Sequence, residues 1–353
     1  MRSWRAWLGV AISAFFLYVA FRGQDLDEIR ATLSEVNLTV LVPALALYFT
    51  GVWVRALRWS VLLRPLAVVD GRRLFPIVIV GYMANNVLPL RTGELVRSYV
   101  LRRRYGVRKT AALATIAVER LFDGLVLLGF MLAATAFVSL TSQLRSLAVL
   151  AFVLFAVLLI GLFALTLGGS LVDRLLQLVL GPMPTPVADR VERMAESFLS
   201  GLGVLRHRRD LALVAGTSLL AWLLEASMYW TLARGFGGSV ERAMGIAATL
   251  LTTGVANMAT LIPSSPGYIG QFEYGVKLVL DGALGVSEAP ALAYALLVHA
   301  ALYVPITLWG VVEWSRQHLS LGQIREVDDE PEGIRGRAAG IRNDEQIVSE
   351  ARF

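Results

Sequence analysis

The chain of 353 residues is 56% hydrophobic and 17% charged, with a mean hydropathy of +0.62; a soluble domain is nearer about 45–50% apolar and about 25% charged. Several apolar runs reach the roughly 20 residues that cross a bilayer, which points to an all-α polytopic membrane protein. The formal charge of +6 comes from arginines beside apolar runs, the arrangement set by the positive-inside rule and anionic headgroups, and is no nucleic-acid signal. Cysteine is absent, which excludes a disulfide frame, a thiol nucleophile and a thiolate metal site. His207, His299 and His318 lack metal-ligand spacing, so no metal and no cofactor is expected.

Residues 6–21 follow Arg2 and Arg5 and carry no small-x-small cleavage pattern, so an uncleaved first helix with its N-terminus inside is expected. The acidic loop 23–37 suits the outside. Residues 38–63 form the second span, whose inner end carries Arg55, Arg58 and Trp59 on one face. Two roles fit that trio: an interfacial Arg/Trp belt, or contact with lipid headgroup phosphate.

Residues 76–104 are the stretch on which the chain turns. A short apolar run, 77–87, is broken by Asn85, Asn86, Pro89 and Gly93, and an amphipathic helix with Glu94, Arg97 and Arg102 to Arg104 follows. The run is too short to span, and arginines flank it on both sides at Arg72, Arg73 and Arg91. A re-entrant hairpin accounts for this, entering and leaving on one side; an interfacial pair of amphipathic helices is the alternative.

Residues 110–140 form a long span containing Glu119, Arg120 and Asp123. Each such charge costs roughly 2.5–3.5 kcal/mol at the centre of an inserting helix, so these side chains should face the bundle interior, either as a structural ion pair or as the wall of a substrate path. Residues 146–167 return inside. Residues 172–209 form a cytoplasmic linker with an amphipathic helix at 187–205 that lies on the membrane, where His207 is solvated. Residues 211–232 span outward with Glu225 inside them. A second interrupted region, 244–280, repeats the order Asn257, Pro263 and Pro266, Gly267 and Gly270, Glu273. Entered from the opposite side, it makes the chain an inverted repeat with a site between its halves. Residues 289–314 form the last span, with Tyr294 and His299 packed within it, and the tail 315–353 is a disordered cytoplasmic segment. The count is about six spans and two re-entrant hairpins in one membrane domain, residues 1–314, with both termini inside.

The runs NNVLPLRTGELVRSYVL (85–101), ATIAVERLFDGLVLL (114–128) and IPSSPGYIGQFEYGV (262–276) resemble, in order and spacing, the membrane domain of the lysylphosphatidylglycerol synthases, a flippase-like family. The match covers most of residues 38–314. It implies a domain of the cytoplasmic membrane that moves or hosts lipids around two re-entrant elements, with phospholipids or polyprenyl-linked lipids as substrates. The synthases carry a soluble aminoacyl-transferase domain behind this one; none follows here, so lipid aminoacylation by this chain is not expected. Carried over by matching position, the motif residues are Asn86, Pro89, Arg91, Gly93, Glu94 and Arg97, then Glu119, Arg120 and Asp123, then Pro263, Pro266, Gly267, Gly270 and Glu273. Tyr268 stands where many relatives have glycine.

These residues support a lipid translocator without a nucleotide motor, because no Walker-type glycine loop is present. Arg91, Arg97 and Arg120 would replace water around a headgroup phosphate, Glu94, Glu119, Asp123 and Glu273 would meet a cationic headgroup or carry a coupled proton, and the hairpin turns would act as gates. The alternatives are a membrane transferase acting on a lipid-linked donor and a non-catalytic scaffold for a separate cytoplasmic or membrane transferase; no catalytic residue is assigned.

Overall fold

In lipid, a backbone can satisfy its N–H and C=O groups only within helices or closed barrels, and the apolar runs of this chain fold accordingly. The computed structural model describes residues 4–23, 25–88, 92–138, 142–166, 184–260 and 266–317. Thirteen helices follow in order among them: α1 (Trp4–Phe21), α2 (Leu26–Ser34), α3 (Leu41–Leu63), α4 (Gly71–Val87), α5 (Gly93–Tyr105), α6 (Lys109–Ala134), α7 (Ser142–Thr166), α8 (Thr185–Gly201), α9 (Arg208–Phe236), α10 (Gly238–Ala243), α11 (Ile246–Ala259), α12 (Gln271–Leu280) and α13 (Glu288–Arg316). Residues Met1–Glu313 form one compact unit and Trp314–Phe353 another. The expected disorder of the tail falls almost wholly outside the described residues.

Among the described residues three segments, Leu38–Leu63, Arg208–Phe236 and Glu288–Arg316, are long and apolar enough to cross a membrane. Helices α6 and α7, of 26 and 25 residues, have the length as well, although α6 carries Glu119, Arg120 and Asp123. The 18 residues of α1 sit near the lower limit. By contrast α4, α5, α11 and α12 have 17, 13, 14 and 10 residues. At about 1.5 Å per residue each falls short of the roughly 30 Å hydrocarbon core. Helix α4 packs on α5, and α11 on α12. The two interrupted stretches are thus helical hairpins. Leu154, Leu220 and Leu308 are 54%, 47% and 64% exposed while Arg58 and Thr252 are fully buried, the reverse of a water-soluble surface. The chain is a polytopic helical membrane protein.

Boundaries differ from the sequence expectation in three places. Helix α4 begins at Gly71 rather than Pro76, because the Asp70 carboxylate accepts from the Arg72 N–H at 2.9 Å and caps it. Arg72 and Arg73 therefore lie in the first turn of the hairpin arm. Helix α6 ends at Ala134, before residue 140. The amphipathic helix α8 does not merely lie along a membrane surface. It packs on α6, where Thr110 donates to the buried Ser197 hydroxyl at 2.6 Å.

The two hairpins exchange partners. Helix α3 packs along α9, so the leading long helices of the two halves meet. Helix α11 of the second hairpin packs on α6 of the first half. Helix α4 of the first hairpin reaches α13 of the second half, where the Asn86 amide donates to the Thr307 hydroxyl at 2.8 Å. This reciprocal packing is what two structurally equivalent halves around a shared centre produce.

The first hairpin closes on a tight contact. A Cβ added at Gly93 would collide with the Gly81 carbonyl oxygen and the Asn85 side chain. The Gly93 N–H donates to Asn85 Oδ1 at 2.8 Å, so one side chain caps α5 from the helix before it. Gly93→Ala is expected to force α4 and α5 apart at a cost of about 1–3 kcal/mol. The check is the thermal unfolding midpoint of the purified protein, which should fall while membrane insertion persists.

Candidate functional site: a charged core behind a membrane cavity

The inner faces of α3, α6 and α9 carry charged side chains at helical spacing, and they meet in the bundle. Arg58 is fully buried and grips Asp123 with two nitrogens, Nη1 to Oδ1 at 2.5 Å and Nη2 to Oδ2 at 3.2 Å. It also donates to the Ser218 hydroxyl at 2.8 Å and lies 3.4 Å from Glu119. Arg97 forms a second two-pronged pair with Glu119, at 3.0 and 3.1 Å, and its guanidinium stacks 4.2 Å from the Trp59 ring centroid. Trp59 donates to Thr115 at 3.1 Å. Arg55 pairs with Glu225 at 2.7 Å and stacks 4.8 Å from the Trp222 ring centroid. Trp222 in turn donates to Asp123 at 2.9 Å. Planar, fork-shaped guanidiniums suit such paired contacts, and the surrounding rings keep water away.

This corrects the expectation of a headgroup belt. Arg58 and Trp59 are fully buried and hold the core together, so neither reaches an interface. Arg97 likewise does not face the cavity, because Glu119 and Trp59 enclose it. Arg55 does face it.

In front of this core lies a cavity of about 270 Å³. Its wall includes Arg55, Glu94, Arg120, Asp123 and Glu225, with Asn85 and Asn86 from the first hairpin and Asn257, Gly267, Tyr268 and Phe272 from the second. Arg120 donates to Glu119 at 2.7 Å, yet its side chain is 37% exposed and its Nε has no hydrogen-bond partner. Glu94 takes only a long 3.4 Å contact from Asn85 on one oxygen, and its other oxygen has no partner. Among the described residues, Arg55, Arg58, Arg97 and Arg120 face the three carboxylates Glu119, Asp123 and Glu225. Glu94, on the cavity wall, is a fourth carboxylate, so these four arginines and four carboxylates balance in charge.

Helix α13 joins the two hairpin turns. Asn86 of the first is held by Thr307, and the Tyr303 hydroxyl donates to the Asn86 carbonyl at 3.2 Å. Gly267 of the second has φ +77°, and a Cβ there would enter the Tyr303 ring. Next to it Tyr268, at φ 57°, keeps a left-handed backbone that costs a non-glycine residue about 1–2 kcal/mol. The Glu273 carboxylate accepts from the Gly270 N–H at 2.7 Å and meets His299 on the other oxygen at 2.6 Å.

Of the residues singled out from sequence, Asn86, Glu94, Arg120, Asp123 and Gly267 line the cavity. Gly93, Arg97, Glu119, Gly270 and Glu273 stand behind it and fix the wall. Pro266 opens the short turn Pro266–Tyr268. Pro89, Arg91 and Pro263 lie outside the described residues. Sequence reasoning missed Glu225, Tyr303 and Thr307 and took His299 for a packed residue. Two signals were available: His299, Tyr303 and Thr307 recur every four residues on α13, and Ser218, Trp222, Glu225 and Tyr229 form a polar stripe on α9.

The chain is similar in sequence to known proteins. The glycosyltransferase AglD of Haloferax volcanii is 25% identical over 88% of this chain and 53% of its own length, so the chain spans about half of that protein. A UPF0104 membrane protein of Methanothermobacter thermautotrophicus is 24% identical over 86% of this chain and 91% of its own length. Another, from Methanocaldococcus jannaschii, is 22% identical over 65% of this chain and 91% of its own. The family described as the lysylphosphatidylglycerol synthase TM region matches residues 6–310. The chain therefore belongs to the lysylphosphatidylglycerol synthase transmembrane-region family.

Proposed function

We propose that this protein binds the phosphate-bearing headgroup of a membrane lipid, a phospholipid or a polyprenyl-linked lipid, in the cavity between its two hairpins and carries it across the membrane. The observation that carries the reading is Arg120: a guanidinium on the cavity wall, partly exposed, with a buried Nε that lacks a partner. What sets Arg120 apart from Arg58 and Arg97 is that its side chain is open to the cavity, where a guanidinium can offer N–H donors to a phosphate. A headgroup leaving water loses its hydration, and a preplaced arginine replaces part of it. Arg55 lines the same cavity and is the second candidate for the phosphate. Glu94, with one unpartnered oxygen, is the candidate for a cationic headgroup group. The hairpins, each hydrogen-bonded to α13 near its turn, serve as the two gates. In this reading the arginine-rich segments and both termini face the cytoplasm, and the chain sits in the cytoplasmic membrane.

The test is reconstitution of the purified protein in liposomes carrying labelled lipids of varied headgroup, with and without a proton gradient. Protein-dependent movement of one phosphate-bearing class is the expected result. No movement of any class by folded protein, with or without the gradient, would exclude translocation. The relationship to a protein named glycosyltransferase, of which this chain spans about half, favours a second reading: a membrane module that presents a lipid-linked substrate to a transferase, separate or embedded. Turnover of a lipid-linked donor by the purified chain, or its co-purification with a transferase, would support that reading instead.

A further inference from the structure

His299 sits between the second hairpin turn and the cavity, and both of its ring nitrogens face oxygen. Nε2 lies 2.8 Å from the Gly267 carbonyl, which can only accept, so Nε2 carries a hydrogen. Nδ1 lies 2.6 Å from Glu273 Oε1. A neutral ring with its hydrogen on Nε2 would point the Nδ1 lone pair at an ionised carboxylate, and two lone pairs repel at that distance. The contact holds only if the pair shares one more proton, either as imidazolium against carboxylate or as imidazole accepting from a protonated carboxyl. Glu273 Oε2 meanwhile accepts from the Gly270 N–H. One proton therefore ties α13 to both ends of the turn, Gly267 and Gly270. Glu273 is 4% exposed at its side chain and His299 11%, and His299 lines the cavity, so the proton can exchange with cavity water.

The surroundings leave this pair to itself. Among the described residues His299 is the one ion-pair partner of Glu273. Lys277, one turn further along α12, is taken by Glu288 at 2.9 Å. Phe272 stacks 4.8 Å from the imidazole and Tyr303 meets it edge-on at 5.8 Å, while Tyr229 of α9 touches the far side of Phe272. The charged groups that face the pair across the cavity are Arg55 of α3, Glu94 of α5, Arg120 and Asp123 of α6 and Glu225 of α9. Arg55 and Arg120 are held by carboxylates of their own.

We infer that His299 and Glu273 form a proton-binding site that controls whether the second hairpin turn is docked on α13. The proton is the coupling ion for the cavity, a use that rests on the translocation reading above, although the proton site itself does not. The direction follows from the lone pairs. With the shared proton in place both contacts hold; as pH rises and it leaves, the one ring hydrogen left goes to Nδ1 against the carboxylate, so Nε2 turns a lone pair to the Gly267 carbonyl and the turn is released toward an open cavity.

Two measurements test this without moving any lipid. In nanodisc-embedded protein with His207→Gln and His318→Gln, His299 is the one histidine left of three, and its ring ¹⁵N shifts report both nitrogens directly. The expected result is that Nε2 carries a hydrogen at low pH and loses it as pH is raised, while Nδ1 stays hydrogen-bonded to Glu273. The chain has no cysteine, so Tyr268→Cys places a single thiol on the turn for maleimide labelling. Labelling should speed up with pH by about fivefold or more beyond its rise in the double variant that also carries His299→Gln, a comparison that cancels the intrinsic chemistry of the thiol. Static ring shifts across the range in which the protein stays folded, or identical labelling profiles with and without His299, would overturn the proposal. The ring shifts need no substitution at His299, so they decide the matter even if His299→Gln does not fold. Because neither readout uses lipid, failure here leaves translocation standing, and failure of lipid movement leaves the proton site standing.

Discussion

Arg58→Ala is expected to cost this protein a large share of its stability. The arginine is fully buried, binds both oxygens of Asp123 and lies 3.4 Å from Glu119. Removing one partner of a buried ion pair leaves the other charged in a medium that solvates it poorly, a loss of about 3–5 kcal/mol. Membrane surroundings sharpen the penalty, since there is no water to refill the gap. Against a typical stability of roughly 5–15 kcal/mol, that is a large share, and the unfolding midpoint should fall clearly. Arg120 also approaches Asp123, at 3.8 Å, but more loosely, so it cannot fully substitute. The double variant Arg58→Met with Asp123→Asn removes both charges and keeps an acceptor for Trp222. It should recover at least about 1 kcal/mol relative to Arg58→Met alone. The comparison is made by thermal unfolding of detergent-purified protein. If Arg58→Ala unfolds at the wild-type temperature, the ion cluster is not what holds α3, α6 and α9 together.

Arg120→Ala is expected to do the opposite: little damage to the fold and a large loss of function. Its side chain is partly exposed, and Glu119 keeps Arg58 and Arg97 after it is gone. A charged hydrogen bond to a headgroup phosphate contributes about 1.5–3 kcal/mol. Lipid movement in liposomes should therefore drop by roughly 10- to 150-fold, at about 1.4 kcal/mol per tenfold. Arg120→Lys should recover only part of this, because an ammonium cannot reproduce the two-pronged geometry. Equal transport by wild type and Arg120→Ala at equal amounts of inserted protein would remove Arg120 from the substrate path.

Much of the fold was legible in the sequence, for a physical reason. Lipid forces apolar runs into helices, and run length then separates spans from hairpin arms. Asn85, Asn86 and Gly93 marked the first turn because nothing in a spanning helix would require them together. Burial of Glu119 and Asp123 followed from the cost of a charge in hydrocarbon. What the sequence could not supply was partnership. Helical spacing says that Arg55, Arg58 and Trp59 share a face, but not that this face meets Asp123 and Glu225 rather than headgroups. The trio therefore read equally well as an interfacial belt. His299 escaped for a similar reason: a single histidine in an apolar helix carries no signal until Gly267 and Glu273, which are 32 and 26 residues away, fold against it. The turn chemistry of the second hairpin was only half visible, since the glycines were evident while the left-handed backbone at Tyr268 was not.

Translocation by this route requires a lipid phosphate lying in the cavity beside Arg120. Native mass spectrometry of the detergent-released protein, offered equal amounts of a phospholipid, a polyprenyl phosphate and diacylglycerol, tests that most directly. Retention of one or both phosphate-bearing lipids, with diacylglycerol absent and binding lost in Arg120→Ala, is the result predicted here. Equal retention of diacylglycerol, or phosphate-lipid binding that Arg120→Ala leaves untouched, would contradict it.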